Sequence, residues 1–268
     1  MKILIITTAL ALVFVSARDF FAEPAEDAPS ALRLTVVFNN EPYMQELETS
    51  WGFACVIEGL SQTILFDTGG NGEILLANMK KLGIDPGIIE LVALSHFHGD
   101  HTNGLENFLK TNPAVTVCMP KSFPDSFQQG VKSQGAVVKT LSGPELLFDG
   151  VYSTGEMGQA IIEQSFILDT PQGLVVVNGC SHPGIDRIVR KAKQICNKEI
   201  YLVLGGFHLG QAGEERIQEI IRTFKELGVK KVGATHCTGD KAMELFRQAW
   251  EDDYVDCGCG AVIELVQK

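Results

Sequence analysis

The chain has 268 residues, of which 45% are hydrophobic and 21% charged, a composition that indicates a globular protein and excludes collagen, coiled coil and long disordered chains. Its formal net charge is −11, from 33 acidic and 22 basic side chains, and no run of Lys or Arg exceeds two residues. This charge argues against nucleic-acid or anionic-membrane partners. The length suffices to bury a core without disulfides.

The N-terminal segment predicts export. Lys2 is followed by an uncharged, mostly apolar stretch, residues 3–15, which is too short to span a bilayer comfortably. Val15-Ser16-Ala17 has the small residues that signal peptidase prefers. We therefore predict that residues 1–17 are a cleaved signal peptide, with cleavage near Ala17 or Ala22, and that the mature protein is periplasmic or secreted.

An uncleaved N-terminal anchor is the alternative, because Phe20-Phe21-Ala22 continues the apolar character past the first cleavage site. In either case, residues 18–31 are predicted to form a polar tether without periodicity, and we expect the folded domain to span residues 32–268.

Along this domain, β-branched and aromatic runs alternate with apolar residues at helical spacing. The predicted strands are Leu32–Phe38, Phe53–Ile57, Thr63–Phe66, Leu91–Leu94, Val115–Cys118, Val137–Leu141, Ala160–Leu168, Leu174–Val177, Tyr201–Leu204, Val229–Ala234 and Ala261–Val266. The predicted helices are Glu73–Leu82, Thr102–Lys110, Gly184–Cys196, Glu214–Leu227 and Lys241–Trp250. No internal repeat and no Pro/Ser-rich linker divides this order, which favours a single layered α/β domain.

The histidines are the main candidates for a functional site. Ser95-His-Phe-His-Gly-Asp-His101 comes directly after a buried-looking strand and before a helix that begins at Thr102. In extended chain, residues two apart point the same way, so His96 and His98 can bind one metal ion. The following turn can bring Asp100 and His101 towards a second ion.

The other three histidines each follow a strand and a tight loop: His182, His208 and His236. Sites in layered α/β folds gather at the carboxyl ends of strands, so we expect these histidines to approach the first cluster. A hydrogen-bonded structural role is the alternative for each, and it applies most to His208.

These motifs resemble the metallo-β-lactamase fold superfamily. Within it, they are similar to the branch that includes an archaeal dihydropterin ribofuranosylaminobenzene 5'-phosphate synthase. The resemblance covers nearly the whole mature chain, and its further motifs are Phe66-Asp-Thr-Gly69, Leu82-Gly-Ile-Asp85, Thr154-Gly-Glu156, Gly179-Cys-Ser-His-Pro-Gly184, Gly205-Gly-Phe-His-Leu209 and Thr235-His-Cys-Thr-Gly239. It implies a four-layer αββα sandwich with a one- or two-metal site at one edge.

The resemblance also implies roles for particular residues. His96 and His98, with a later histidine, hold one metal ion; Asp100, His101 and His236 hold a second; and His182 is the remaining ligand. The commonest pattern of the superfamily has a third-motif histidine and a bridging aspartate, and neither occurs cleanly here.

Other residues are candidates for those places. Glu156 is the candidate for the third-motif region, and Cys180 or His182 for the bridging position. Asp67 is expected to orient a metal ligand, with an Asx-turn role as the alternative.

A bound metal ion would supply a hydroxide nucleophile near neutral pH and polarise the substrate oxygen. Imidazole and carboxylate donors suit one or two Zn²⁺ ions best, and Fe or Mn fits the same donors. Asp100 is the candidate catalytic residue, because its carboxylate can hold or accept the proton. Esters, lactones, amides and phosphodiesters all suit this chemistry.

The thiols beside these motifs leave several interpretations open. Cys180 and Cys237 are each a soft metal ligand, a buried small hydrophobic residue or, in an oxidising compartment, half of a disulfide. Cys257-Gly-Cys259 is a redox pair, a further metal site or ordinary loop. Phe97, Phe123, Phe127 and Phe207 are candidate pocket walls, with core packing as the alternative.

Three functions are consistent with the sequence. The first is an exported metal-dependent hydrolase that acts through a metal-bound hydroxide. The second is a transferase resembling the pterin synthase, against which export argues because pathway phosphates are normally cytoplasmic. The third is a non-catalytic metal-binding or redox module that uses the cysteines.

Overall fold

The computed structural model describes residues 31–265. The predicted signal peptide, the tether up to Ser30 and the last predicted strand residue, Val266, lie outside the described residues. Within the described range, no helix is both long and apolar enough to cross a membrane.

The strands, numbered in chain order, form two sheets. The first sheet has seven strands: β1 (Leu32–Asn39), β2 (Phe53–Glu58), β3 (Ile64–Phe66), β4 (Leu91–Ala93), β5 (Thr116–Pro120), β6 (Val137–Leu141) and β13 (Val262–Leu265). Their spatial order is β13-β1-β2-β3-β4-β5-β6. The pairs from β3 to β6 are parallel and the others antiparallel.

The second sheet has six strands: β7 (Glu145–Phe148), β8 (Val151–Ser153), β9 (Phe166–Thr170), β10 (Gly173–Asn178), β11 (Ile200–Gly206) and β12 (Lys231–Thr235). Their order is β12-β11-β10-β9-β8-β7, with β10, β11 and β12 parallel. The carboxyl ends of these parallel strands therefore lie at one edge of the sheet.

Seven α-helices occur among the described residues: α1 (Gly72–Lys81), α2 (Gly99–Thr102), α3 (Leu105–Thr111), α4 (Asp125–Ser133), α5 (Ile185–Cys196), α6 (Glu214–Glu226) and α7 (Asp240–Trp250). Three short 3₁₀ turns, Pro86–Ile88, His236–Thr238 and Glu251–Asp253, complete the order.

The apolar residues divide among three buried cores. One core lies between the sheets, where the rings of Phe66 and Phe166 meet edge to face with centroids 5.6 Å apart. A second packs α1, α3 and α4 on the first sheet, and a third packs α5, α6 and α7 on the second. These layers form the predicted four-layer αββα sandwich, so the fold prediction is confirmed.

Local structure differs from the prediction at several places. The predicted strand Ala160–Leu168 is wrong at its start, since β9 begins at Phe166. The preceding loop instead turns inwards, and Glu163 is buried there. The predicted helix Thr102–Lys110 is two helices, α2 and α3, separated at Gly104, where an added Cβ would lie 1.9 Å from the carbonyl oxygen of Thr68.

Strands β7 and β8 and helix α4 were not predicted. They are short and offer few buried residues: Val131 is the buried residue of α4, and β7 has none. Short elements give few positions from which a period can be recognised.

Candidate metal centre

The predicted site residues lie at the carboxyl ends of parallel strands from both sheets. Asp67 follows β3, and the segment that carries His96 follows β4; both belong to the first sheet. His182, His208 and His236 follow β10, β11 and β12 of the second sheet. The two sheets pack face to face, so these loops meet along one edge of the sandwich.

Four residues at this edge have a positive φ without being glycine: Asp67 (56°), Ser181 (66°), His208 (53°) and His236 (55°). Such backbone is uncommon for residues with a Cβ, although Asp and His tolerate it better than most. The occurrence of this strained backbone in neighbouring loops is typical of a functional site, where the loop conformation positions particular side chains.

The first donor cluster contains three imidazoles. One nitrogen each from His96, His98 and His182 lies within 4.8 Å of the others. His96 Nε2 is 3.1 Å from His98 Nδ1. The structure thus brings His182, predicted as the remaining ligand, to the His96–His98 pair.

Hydrogen bonds fix which ring nitrogens are free. Ser95 Oγ donates to Asp67 at 2.7 Å, so it accepts from His96 Nδ1 at 2.9 Å. His182 Nδ1 donates to Glu163 at 2.8 Å. The Nε2 atoms of His96 and His182 therefore remain available to a metal ion.

The second donor cluster contains Asp100, His101, Cys180 and His236, whose ligand atoms again lie within 4.8 Å of one another. Asp100 Oδ2 is 3.5 Å from His101 Nε2 and 3.3 Å from His236 Nε2. Cys180 Sγ is 3.2 Å from His101 Nε2. A thiol thus occupies the region in which the superfamily pattern led us to expect a bridging aspartate.

Asp67 supports both clusters. Its carboxylate accepts hydrogen bonds from the N–H and O–H of Ser95, each at 2.7 Å, and from His101 Nδ1 at 2.7 Å. It therefore orients His101 directly and His96 through Ser95. His236 Nδ1 in turn donates to Asn40 Oδ1 at 2.7 Å.

Glu163 is a buried residue that the sequence motifs did not point to. Its carboxylate accepts from the backbone N–H groups of Cys180, Ser181 and His182 and from the His182 ring, at distances of 2.7–2.9 Å. Burial raises the pKa of Glu163, but the His182 hydrogen bond and the backbone donors outweigh it and lower the pKa to about 2. Glu163 therefore remains charged and fixes the loop that carries two donors.

Glu156 does not take the predicted third-motif place. Its Oε1 accepts from the backbone N–H of Ser122 at 2.7 Å and joins two loops, and among residues 31–265 it belongs to none of the donor clusters. His208 is also absent from the first two clusters and forms a third with Cys180 and Cys237. All seven cysteines are free, and Cys257 and Cys259 are buried.

The charges of the site follow from burial and neighbours. Burial lowers the pKa of His96 to about 2, which leaves a neutral imidazole. Burial also lowers the pKa of His101, but the Asp67 and Asp100 carboxylates outweigh it and raise the pKa to about 10. Burial raises the pKa of Asp100, yet the neighbouring imidazoles of His101 and His236, whose Nε2 atoms lie 3.5 and 3.3 Å from its Oδ2, hold it well below its usual range.

The donors fit a divalent transition metal. Imidazole, carboxylate and thiol groups converge in two adjacent sets, and the opposite nitrogen of four imidazoles is anchored by a hydrogen bond. His236 Nε2 is buried without a hydrogen-bond partner, although it faces Asp100. A bound cation would satisfy this atom.

Two cavities are lined in part by residues of the loops that carry the donors, and donor residues themselves line one of them. One of about 420 Å³ is lined by Trp51, His208, Gly210, Gln211, Ala212 and Cys237. Trp51 is 57% exposed, and its ring centroid lies 4.8 Å from that of His236. The other, of about 600 Å³, is walled by residues that include Phe97 and Phe127. Neither lining contains Lys or Arg.

The four candidate pocket phenylalanines therefore separate into different roles. Phe97 is 46% exposed and lines the larger cavity together with Phe127. Phe123 is buried and contacts both of their rings. Phe207 packs against Phe224 of α6 in the helix-facing core, away from the cavities.

Comparison with known proteins agrees with this fold. The metallo-beta-lactamase superfamily profile matches residues 52–182. A 7,8-dihydropterin-6-methyl-4-(beta-D-ribofuranosyl)-aminobenzene-5'-phosphate synthase from Methanocaldococcus jannaschii is 32% identical over an alignment that covers 84% of this chain and 92% of the relative.

Solved structures of the same superfamily have a similar fold. The crystal structure of Tm1679, a metal-dependent hydrolase of the beta-lactamase superfamily, has a TM-score of 0.75 at 27% identity and covers 88% of this chain and 100% of its own. YhfI from Bacillus subtilis shares the fold at 14% identity, with a TM-score of 0.66, over 87% of this chain and 99% of its own. The chain belongs to the metallo-β-lactamase superfamily. It is a homologue of the pterin-branch synthase, as the motifs predicted.

Proposed function

We propose that the protein is a metal-dependent hydrolase of a small-molecule substrate, with Zn²⁺ as the favoured ion. The observation that carries this proposal is the pair of adjacent donor clusters beside an open cavity. A divalent cation held by these donors would lower the pKa of coordinated water from 15.7 to about 7 and would polarise the substrate oxygen.

Asp100 is the candidate catalytic residue of this chain. Its side chain is 21% exposed, whereas the imidazoles of His101 and His236 beside it are fully buried. The proximity of these imidazoles lowers its pKa and keeps it a carboxylate, so it can accept a hydrogen bond from an attacking water. It thereby orients the water at the point where the cleft opens.

The cavity lining favours a substrate without phosphate groups over one that bears them. Trp51 and the flanking loop 210–212 offer an aromatic face and small or neutral polar groups. Phosphate recognition normally uses Arg or Lys, and neither cavity lining contains one. An ester, lactone or amide on an aromatic or apolar body fits these walls.

A transferase resembling the pterin-branch synthase is the second candidate. It is supported by the 32% identity with that synthase over 84% of this chain. The absence of Lys and Arg from both cavity linings argues against it, since the product that the relative's name states carries a 5'-phosphate.

The test begins with the metal content of purified wild-type protein and of His96→Ala and His182→Ala. We expect one to two equivalents of Zn, Fe or Mn in the wild type and fewer in each variant. Loaded wild-type protein is then assayed on ester, lactone, amide and phosphodiester panels, and in parallel for condensation of a pterin substrate with an aminobenzene ribofuranoside phosphate.

Hydrolysis that is lost in His96→Ala supports the first proposal. Condensation without hydrolysis would replace it with the second. A wild-type protein that binds no transition metal after reconstitution would overturn both.

A further inference from the structure

The third donor group, made of Cys180, His208 and Cys237, is not used by the proposed hydrolysis. One ligand atom from each of these residues lies within 4.8 Å of the other two. Only Cys180 is shared with the Asp100–His101–His236 set. Cys237 and His208 instead line the cavity of about 420 Å³.

The backbone around this third donor group leaves space for the Cys237 sulfur and positions the His208 ring. A Cβ on Gly206 would lie 2.7 Å from Cys237 Sγ and 2.5 Å from the carbonyl oxygen of Gly179, so only glycine leaves space for the sulfur. His208 is held at a φ of 53°, which an L residue rarely adopts. Its ring centroid lies 4.5 Å from that of His182, beside the first cluster.

We propose that Cys180, His208 and Cys237 form an additional metal position for a thiophilic cation, with Zn²⁺ as the natural occupant, and that the Cys180 thiolate is shared with the Asp100–His101–His236 set. Two sulfurs and one imidazole are a soft donor set that selects Zn²⁺ or Cu⁺ over Mg²⁺ or Ca²⁺. A tetrahedral ion with bonds of 2.0–2.3 Å requires donors about 3.3–3.8 Å apart, so donors within 4.8 Å need only small side-chain rotations.

Binding at this position releases one proton from each thiol to solvent and involves no electron transfer. Three protein ligands leave one position of a tetrahedral ion for another group. Because His208 and Cys237 line the cavity, this ion would lie next to a bound substrate. The proposal depends on the proposed metal centre only through Cys180.

The test is a titration of metal-free, reduced protein with Co²⁺ under anaerobic conditions, since thiolate ligands give Co²⁺ an intense charge-transfer absorption. We expect wild-type protein to bind one equivalent more than Cys237→Ser. The charge-transfer band should fall by about two thirds in that variant, because loss of this ion removes two of the three sulfur–cobalt bonds formed by Cys237 and the shared Cys180. His208→Asn, in which the new residue tolerates positive φ, should release the same equivalent but keep Cys237 reactive to thiol reagents.

Cys196→Ser is the matched control, because Cys196 is a partly exposed thiol on α5 outside the three donor clusters. It should leave the stoichiometry and the band unchanged. Circular dichroism establishes that each variant is folded, and Cys237→Ala provides a second substitution if the serine variant is not.

The outcomes separate this proposal from the previous one. If folded Cys237→Ser binds as many Co²⁺ ions as the wild type and has the same charge-transfer band, the additional position is overturned. A Cys180–Cys237 disulfide in the purified protein would also overturn it. If the wild type binds metal without a thiolate band, and His96→Ala binds less metal, the additional position is overturned and the hydrolase proposal stands. No metal binding at all would overturn both.

Discussion

At the scale of single residues, the site depends on two buried carboxylates that are not themselves among the donor clusters. Asp67 orients His101 and, through Ser95, His96, while Glu163 orients His182 and the loop of Cys180. Residues of this kind set which ring nitrogen carries the proton and hold each imidazole in place. Their substitution should weaken metal binding without removing a ligand.

Asp67→Asn should lower metal affinity by about 10–100-fold, because an amide cannot accept from His101 and both Ser95 donors as the carboxylate does. Competition with a chelating dye measures the affinity. Asp149→Asn, at an exposed position, is the control and should match the wild type. Equal affinity in Asp67→Asn would show that Asp67 has only a turn-forming role.

Glu163→Gln should destabilise the metal-free protein by about 1–3 kcal/mol and also reduce metal content, because four hydrogen bonds converge on its buried carboxylate. Urea unfolding and elemental analysis measure the two effects. Glu156→Gln, whose carboxylate only joins two loops, should retain its metal. A metal loss in Glu156→Gln equal to that in Glu163→Gln would contradict the placement of both residues.

At the scale of elements, the loops that follow the strands of the two sheets pack closely at the site. At some positions the space between them has no room for a side chain. Gly179, directly after β10, shows this best: an added Cβ would lie 2.1 Å from Ser95 Oγ and 3.0 Å from Asp67 Oδ2. At this edge the backbone of the second sheet's loop therefore packs directly on the Ser95 and Asp67 side chains of the first sheet's loops. This closeness places the β4 loop against the β10 loop.

Gly179→Ala should cost about 1–3 kcal/mol of stability and reduce metal content, because Ser95 and Asp67 must move from their present hydrogen bonds. Thermal or urea unfolding and elemental analysis measure the outcome. Gly130→Ala on α4 is the matched control, since a Cβ added there would meet no neighbouring group within 4 Å, and it should be neutral or stabilising by up to about 1 kcal/mol. A fully loaded, stable Gly179→Ala protein would contradict the close approach.

At the scale of the whole molecule, the donor clusters join the two halves of the sandwich. His96, His98, Asp100 and His101 belong to the first sheet's loops, whereas the remaining ligands extend from the second. A metal ion in either cluster would link the sheets. Ligands that bind only the folded protein stabilise it in proportion to the logarithm of their concentration.

Metal loading should therefore raise the unfolding midpoint, with a gain of about 2.7 kcal/mol when the free metal is at 100 times its dissociation constant. Unfolding of EDTA-treated and reloaded protein measures this gain. His96→Ala should show a smaller gain, and an identical gain in that variant would place the stabilising ion elsewhere.

The prediction of export is tested by the mature N-terminus. Expression of the full chain in a bacterium, followed by fractionation and N-terminal sequencing, should yield a periplasmic protein that begins at Arg18 or Glu23, after cleavage at Ala17 or Ala22. A chain recovered from the membrane with residues 1–17 retained would support the anchor instead. An intact soluble chain inside the cell would remove the objection to the transferase function.

The sequence by itself determined the layered fold and the residues of the H-x-H-x-D-H segment, because strand and helix periodicity and ligand spacing are local properties. It also indicated that His182 and His236 approach this segment, since strand ends share one edge. Asn40 follows β1 and could have been found by the same rule.

Only the tertiary structure assigned Glu163 to the site and Glu156 to a loop contact, because the two lie on one loop and their partners are fixed by packing between the sheets. The same holds for the division of the donors into clusters. Cys180 approaches His101, Cys237 and His208 only because β4, β10, β11 and β12 end at the same edge, and no spacing along the chain encodes that distance.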